Sequence, residues 1–164
     1  KILRDRGGDG VVRILDVGCG TGAIGIALAK MLGRDRAEVT AIDIDPSAVS
    51  LSNDNACNIL FDGCEGTPSD NNWYRAYLCE AGSLSLPQEG NNANDKFDIP
   101  TKFDFDLVVS NPPYIPKADM ETLTSDVVDW ESPHALCGGD DGMDVIRDIV
   151  RRLPEWSGVG GCVC

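Results

Sequence analysis

The sequence predicts an α/β fold with a mostly parallel, twisted sheet and helices on both of its faces. Short apolar runs at residues 11–17 and 38–43 have the character of buried strands, and each is followed by a helical pattern. A third strand is expected between residues 72 and 80, and a further apolar run at residues 103–110 predicts the fourth. Strands that alternate with helices need right-handed crossovers, so ligands are expected at the carboxyl ends of the strands.

A glycine-rich loop follows the first strand without a gap. Gly18, Gly20 and Gly22 lie close together in this loop, and glycines let a ligand approach the backbone closely. The loop opens a helix for which Thr21 is the expected N-cap and Gly33 the expected end. The apolar residues that recur at helical spacing in this segment are Ile24, Ala27, Leu28, Met31 and Leu32.

Two acids indicate which cofactor the loop binds, because the glycines alone also fit a dinucleotide fingerprint. Asp16, just before the glycines, would repel a pyrophosphate but could attract the ammonium of a methionine moiety, which favours S-adenosylmethionine. Asp43 ends the second strand, where a carboxylate can accept both ribose hydroxyls. Asp45 and Pro46 are expected to cap and begin the next helix.

The tetrapeptide Asn111-Pro112-Pro113-Tyr114 directly follows the run at residues 103–110. Its prolines fix two φ angles and remove two backbone donors, which leaves a rigid turn displaying the Asn111 carboxamide and unpaired carbonyls. If the Asn111 side-chain oxygen and the Pro112 carbonyl each accept one N–H of a planar NH2 group, its lone pair is aimed at one point. Tyr114 can stack on that flat group. The pattern indicates methyl transfer to a planar nitrogen; the alternative is a stiff turn without chemistry.

These motifs, in this order, resemble those of the class I S-adenosylmethionine-dependent methyltransferases that modify planar nitrogens. Within that superfamily the chain is most similar to the HemK/PrmC family, the glutamine N5-methyltransferases of peptide chain release factors. The segments that carry this narrower resemblance are Ile115-Pro116, Glu131-Ser132-Pro133-His134-Ala135-Leu136 and Gly138-Gly139-Asp140-Asp141-Gly142-Met143-Asp144.

The resemblance implies a Rossmann-like class I methyltransferase fold, S-adenosylmethionine as cofactor, and the glutamine of a release factor's Gly-Gly-Gln loop as methyl acceptor. Asn111, Pro112 and Tyr114 would be catalytic, and Pro113 and Glu131 would also contact the substrate. Glu131 and the glycine run that begins at Gly138-Gly139 would shape the peptide-binding side. The residues that would bind the cofactor are Asp16, Gly18, Gly20, Thr21, Gly22, Asp43, Ser83 and Asn111.

Three of these assignments have open alternatives. Glu131 could equally be an exposed loop acid, and Gly138-Gly139 a turn before a helix at residues 143–153. The family usually carries an acid after the third strand, near the adenine amino group, where this chain has Ser83. A serine hydroxyl can still bind adenine, and Glu80 or a backbone carbonyl could substitute for it.

All 164 residues are predicted to form one catalytic domain, incomplete at both ends. The chain begins with Lys1 rather than methionine, and residues 158–164 are expected to enter a fifth strand. Segments 62–72 and 87–100, rich in small and polar residues, are predicted to be mobile surface insertions.

The charge favours a protein acceptor, because 14 basic residues against 27 acids give a net charge of −13. Such a surface argues against tightly held nucleic acid and would attract a basic protein loop. The alternatives are an N6-adenine DNA or ribosomal RNA methyltransferase and, less favoured, a cofactor-binding domain without catalysis.

The seven cysteines and the single histidine, His134, form no metal-binding pattern. His134 is expected to lie in a surface loop. All seven cysteines are predicted to be free thiols in a reducing compartment, either the cytoplasm or the mitochondrial matrix. No run is long enough to span a bilayer, and we expect a monomer.

Overall fold

The central strand of the fold is β1 (Val12–Val17), the strand that leads into the glycine loop. In the computed structural model, which describes residues 10–61, 73–83, 104–124 and 132–163, this strand belongs to a five-stranded sheet. The other strands are β2 (Ala37–Asp43), β3 (Tyr74–Leu78), β4 (Phe105–Ser110) and β5 (Ser157–Val163). The order is β3-β2-β1-β4-β5, and all neighbours pair in parallel. The predicted α/β fold is confirmed, as is the fifth strand.

The helices alternate with the strands as the crossovers require. They are α1 (Ala23–Leu32), α2 (Pro46–Leu60), the single-turn α3 (Pro133–Leu136) and α4 (Asp144–Trp156). Short 3₁₀ turns cover Ala81–Ser83 and Lys117–Thr122. The predicted cap of α2 is confirmed, since the Asp45 side chain accepts the Ser47 N–H at 2.8 Å and Pro46 is the first helical residue.

Helices cover both faces of the sheet, so the core has two layers. On one face α1 and α2 pack against Ile14, Val39 and Val109. On the other face Ile149 and Trp156 of α4 pack against a second set of strand residues, Leu15, Val17, Ile42, Tyr77, Phe105 and Val108. Near-continuous apolar strands are needed because both faces are buried.

The predicted helix α1 is confirmed and Gly33 ends it, and Leu28 and Leu32 of its apolar series pack half-buried on the core. Gly25, Ile26 and Ala29 are buried, whereas Ile24 is 39% exposed and Met31 82% exposed. A Cβ on Gly25 would lie 2.9 Å from Asp16 Oδ2 and 3.0 Å from Tyr74 Cε2. Small residues let α1 approach the sheet this closely, and apolar spacing does not reveal that requirement.

The predicted N-cap of α1, Thr21, is wrong. The cap position is Gly22, whose φ of 80° is left-handed, and no side chain there caps the helix. An acceptor is supplied instead from β1, where Asp16 Oδ2 receives the Gly25 N–H at 2.8 Å. A buried strand residue therefore does what a local Thr21 side chain was expected to do.

A side chain of α2 hydrogen-bonds to the outer edge of strand β3. The Asn53 amide donates to the Ala76 carbonyl at 3.1 Å and accepts the Ala76 N–H at 3.0 Å. These are outward-facing backbone groups of an edge strand, which would otherwise be free to pair with another chain.

The structure also tests the predictions about the cysteines, whereas other predictions fall on residues that it does not describe. Cys19, Cys79 and Cys137 are free thiols, but Cys57 is disulfide-bonded, so the expectation of seven free thiols is wrong at Cys57. The predicted insertions at residues 62–72 and 87–100 lie outside the described residues. None of the described helices has the length and apolar character needed to cross a membrane.

Candidate active site

Three strands deliver the predicted site residues to one edge of the sheet. Val17 is paired with Ile42 on one side and with Ser110 on the other, so Gly18, Asp43 and Asn111 leave the sheet side by side. The hydroxyl of Ser110 donates to the Val17 carbonyl at 2.7 Å, which fixes the spacing of β1 and β4 at this edge. The reversal of strand order beside β1 thus brings the glycine loop and the tetrapeptide together.

Asp43 holds the glycine loop in place. Its Oδ2 accepts the Gly20 N–H at 2.8 Å, and its Oδ1 accepts the Asp45 N–H at 3.0 Å. The Gly18 and Cys19 N–H groups donate to the Ile42 carbonyl at 2.8 and 3.0 Å. Because each carboxylate oxygen can accept more than one hydrogen bond, Asp43 retains acceptor capacity for a ligand.

The three loop glycines face different surroundings. A Cβ added to Gly18 or Gly20 would meet no heavy atom within 4 Å, and both residues have a left-handed φ, of 69° and 52°. A Cβ added to Gly22 would lie 2.5 Å from Ser52 Oγ and 2.6 Å from Tyr74 Oη. Open space therefore borders Gly18 and Gly20, where a ligand can approach the backbone, whereas at Gly22, whose φ is also left-handed, Ser52 and Tyr74 leave no room for a side chain.

Asp16 is buried beneath the loop, with 1% of its surface exposed. Burial is the main cause that raises its pKa to about 6; the nearby Asp43 charge adds to the rise, and the Gly25 hydrogen bond opposes it. Asp16 Oδ1 has no hydrogen-bond partner among the described residues. One oxygen thus fixes the start of α1, and the second is a buried acceptor beneath the glycine loop that a cationic group could use.

A buried polar cluster, which the sequence pattern does not reveal, packs against the glycine loop. Ser52 Oγ and Tyr74 Oη are 2.6 Å apart and buried, and burial raises the pKa of the Tyr74 hydroxyl. Burial also raises the pKa of Cys19 to about 12, so this thiol stays protonated at neutral pH. Asn55 adds a contact by donating to the Thr21 carbonyl at 3.0 Å. These groups come from elements distant in sequence, so no local motif marks them.

The tetrapeptide is accessible where it leaves β4. Asn111 is exposed, Pro112 and Pro113 are half-buried, and Tyr114 is 63% exposed despite its aromatic ring. An exposed amide beside an exposed aromatic face is the arrangement that the sequence predicts for a planar NH2 group.

Ile115, the residue directly after the tetrapeptide, is hydrogen-bonded to the segment that contains the glycine run Gly138 to Gly142. The sequence leaves this link open. Ile115 N–H donates to the Leu136 carbonyl at 3.0 Å, and Gly138 N–H donates to the Ile115 carbonyl at 2.9 Å. The run therefore packs against the tetrapeptide as well as leading into α4.

The other predicted residues contribute less to the described geometry. Ser83 ends the 3₁₀ turn that follows β3, as its predicted position requires. Glu131 lies outside the described residues. His134 is exposed, as predicted, but it lies in the single-turn helix α3 rather than in a loop. Within the described ranges no three His, Cys, Asp or Glu side chains are grouped to hold a metal ion.

Comparison with known proteins places this geometry in context. Residues 9–70 match a family model described as a methyltransferase domain. A release factor glutamine methyltransferase of Geobacter sulfurreducens is 38% identical over 148 residues, which is 90% of this chain and 42% of that protein. The human MTRF1L release factor glutamine methyltransferase is 34% identical over 151 residues, covering 91% of this chain and 38% of that protein. The resemblance indicated by the motifs is confirmed, and the chain spans about two-fifths of these relatives' length.

Solved structures agree on the fold. TrmN from Thermus thermophilus matches 93% of this chain and 32% of its own, with a TM-score of 0.51 and 19% identity. The CurJ carbon methyltransferase matches 98% of this chain and 30% of its own, with a TM-score of 0.52 and 11% identity. The Rossmann-like class I methyltransferase fold is thereby confirmed.

Proposed function

We propose that the protein containing this chain transfers a methyl group from S-adenosylmethionine to the side-chain amide nitrogen, N5, of the glutamine in a release factor's Gly-Gly-Gln loop. The observation that carries the proposal is the shared edge at which Gly18, Asp43 and Asn111 leave three adjacent strands. It sets a ligand-accessible glycine loop beside an exposed amide-binding tetrapeptide. The names of the relatives support glutamine as the acceptor.

The residues present fit the cofactor. Open space beside Gly18 and Gly20 admits a ligand to the backbone, and the spare acceptor capacity of Asp43 suits ribose hydroxyls. The unpartnered Asp16 Oδ1 is positioned to receive a cation. When bound, S-adenosylmethionine supplies an electrophilic methyl group on a positively charged sulfur.

The tetrapeptide orients the acceptor. The Asn111 side-chain oxygen and the Pro112 carbonyl each accept one N–H of the glutamine amide, and Tyr114 covers its face. Both hydrogen bonds draw the nitrogen lone pair out of conjugation with the amide carbonyl, so no strong general base is needed. As the nitrogen gains the methyl group, one of its two protons is lost to solvent. Pro113 and Glu131 are assigned to substrate binding as well.

Partner and compartment follow from the same assignment. The acceptor is a release factor, and the acidic chain, with a net charge of −13, attracts a basic loop rather than nucleic acid. The protein acts as a monomer where release factors act, in the cytoplasm or the mitochondrial matrix.

The test uses the full-length protein with labelled S-adenosylmethionine. The acceptors are a release factor, the same factor with its loop glutamine changed to asparagine, duplex DNA and ribosomal RNA. Mass spectrometry then locates the methyl group. We expect label on the loop glutamine and none on the asparagine variant. Label in nucleic acid alone would overturn the assigned acceptor, and label in none of them would overturn the assigned activity.

A further inference from the structure

The glycine run, Gly138 to Gly142, packs against the backbone of the tetrapeptide and of the residues that follow it. Ile115 and Cys137 form an isolated parallel bridge, which extends through backbone hydrogen bonds on both sides. The bonds are Ile115 N to Leu136 O at 3.0 Å, Gly138 N to Ile115 O at 2.9 Å and Lys117 N to Gly139 O at 2.8 Å. These bonds hold residues 115–117 and residues 136–139, which lie more than 20 residues apart in the chain, in a fixed register.

Because Gly138 and Gly142 have no side chains, the backbone of the glycine run can lie against the backbone of the tetrapeptide. A Cβ on Gly138 would lie 2.6 Å from the Pro113 carbonyl oxygen and 2.5 Å from the Gly142 carbonyl oxygen. A Cβ on Gly142 would collide with the Tyr114 carbonyl oxygen. The obstructing atoms are all backbone, so no rotamer change can relieve the clash.

Turn geometry alone does not account for glycine at position 138. Gly139 and Gly142 have left-handed φ angles of 92° and 78°, which favour glycine in any turn. Gly138 is not among the residues with positive φ, so an alanine could adopt its backbone conformation. Two backbone contacts exclude a side chain there, one with the Gly142 carbonyl inside the run and one with the Pro113 carbonyl, and the second of these connects Gly138 to the tetrapeptide.

The glycine run is itself anchored to α4. Asp144 N–H donates to the Gly138 carbonyl at 2.9 Å, and Met143 N–H donates to Asp141 Oδ1 at 3.1 Å. Arg147 binds both oxygens of Asp141, and this guanidinium is the main cause that lowers the pKa of the Asp141 carboxyl. The packing of Ile149 on the sheet fixes α4, and α4 in turn fixes the run.

We propose that Gly138 is a positioning residue for the acceptor site. By contacting the Pro113 carbonyl it sets the backbone whose preceding residues, Asn111 and Pro112, present the two oxygens that orient the amide. This inference rests on the proposed function, and it assigns the glycine run to placement of the acceptor rather than to cofactor binding. A displacement of about 1 Å at such a site can reduce turnover by about 100-fold.

The test compares Gly138→Ala with Gly33→Ala in the full-length protein. Gly33 ends α1 with a φ of 84°, and a Cβ there would meet nothing within 4 Å, so its substitution strains the backbone without touching the tetrapeptide. Three quantities are measured well below the melting temperature of each variant: the cofactor Kd, kcat and KM for the release factor, and hydrogen exchange at the Ile115 and Lys117 amides.

For Gly138→Ala we expect kcat to fall by about 10- to 100-fold with the cofactor Kd within about threefold, and both amides to exchange faster. Gly33→Ala should lose stability and keep its kcat. A folded Gly138→Ala protein with unchanged kcat would overturn the inference, as would a loss confined to the cofactor Kd.

Arg147→Met provides a second variant in case Gly138→Ala does not fold. It removes an exposed ion pair that anchors the glycine run, so the fold should tolerate it. We expect a smaller fall in kcat, of about two- to fivefold, with faster exchange at Lys117; unchanged values of both would overturn the inference. Wild-type turnover separates the two proposals. If the wild type leaves the release factor unmethylated, the assigned function fails, whereas an active wild type with an equally active Gly138→Ala contradicts only the positioning role.

Discussion

The Asp43 carboxylate accepts the backbone N–H of Gly20 at 2.8 Å, which ties the end of β2 to the glycine loop that follows β1. A residue expected to contact a ligand is therefore also part of the scaffold that shapes the ligand's site. Because Asp43 and Gly20 lie 23 residues apart, this contact exists only once β1 and β2 have paired.

Asp43→Ala should weaken cofactor binding by at least about tenfold, because it removes both the ligand acceptor and the clamp on Gly20. Calorimetric titration with S-adenosylmethionine measures the effect. The matched control is Asp45→Ala, which removes a neighbouring acid that caps α2. That variant should lose about 1 kcal/mol of unfolding free energy and keep its cofactor Kd. Equal Kd values for the two variants would contradict the role given to Asp43.

Asn111→Ala should reduce turnover by at least about 100-fold while the cofactor Kd changes by less than about threefold. The side chain is exposed, so its removal costs the fold little. Single-turnover assays with labelled cofactor and release factor give the rate, and titration of the same sample gives the Kd. Near-normal turnover in this variant would refute the mechanism proposed for the tetrapeptide.

Asp16 should make stability depend on pH. Its pKa in the folded protein is raised to about 6 from an ordinary value of 3.8, so the folded state holds a proton that the unfolded state has released. Stability from this group is present below pH 4 and is lost as pH rises to about 6, by about 3 kcal/mol in all. Asp16→Asn retains an acceptor for the Gly25 N–H but cannot titrate.

Urea unfolding at pH 4, 5, 6 and 7 compares the two proteins. The unfolding free energy of the wild type should fall relative to that of Asp16→Asn between pH 4 and 6, and parallel curves would show that Asp16 has an ordinary pKa. Cofactor titration at pH 8 tests the second role of Asp16. A Kd at least about tenfold weaker in Asp16→Asn is expected if Asp16 Oδ1 receives the ammonium.

Asn53→Ala should destabilise the fold by about 2–3 kcal/mol, because it leaves both the N–H and the carbonyl of Ala76 without their partner. Asn58→Ala, at an exposed position of the same helix, should change stability by less than about 0.5 kcal/mol. Denaturant unfolding of both variants measures the difference. If the two variants were equally stable, the edge of β3 would not depend on Asn53.

Features written in contiguous residues could be predicted from the sequence. The apolar strands, the glycine loop, the cap at Asp45 and the rigid tetrapeptide each depend on neighbours in the chain, so their patterns identify them. The strand ends followed from the same patterns, since the carboxyl edge of a parallel sheet gathers whatever follows each strand. The same patterns therefore predict that Gly18, Asp43 and Asn111 share one site.

What depends on distant partners could not be read locally. The buried face of α1 is set by how closely Gly25 approaches Asp16, and the helix is capped from β1 rather than by Thr21. A sequence does not distinguish a free cysteine from a disulfide-bonded one, so the prediction of a free thiol at Cys57 is wrong.

The sequence by itself determined the fold class and the chemistry displayed at the strand ends, because local backbone preferences and residue type suffice for both. Only the tertiary structure decided which groups support that chemistry. Gly138 and Pro113 meet only when β4 and α4 have docked on the same sheet, and no spacing along the chain encodes a contact between two backbones that far apart.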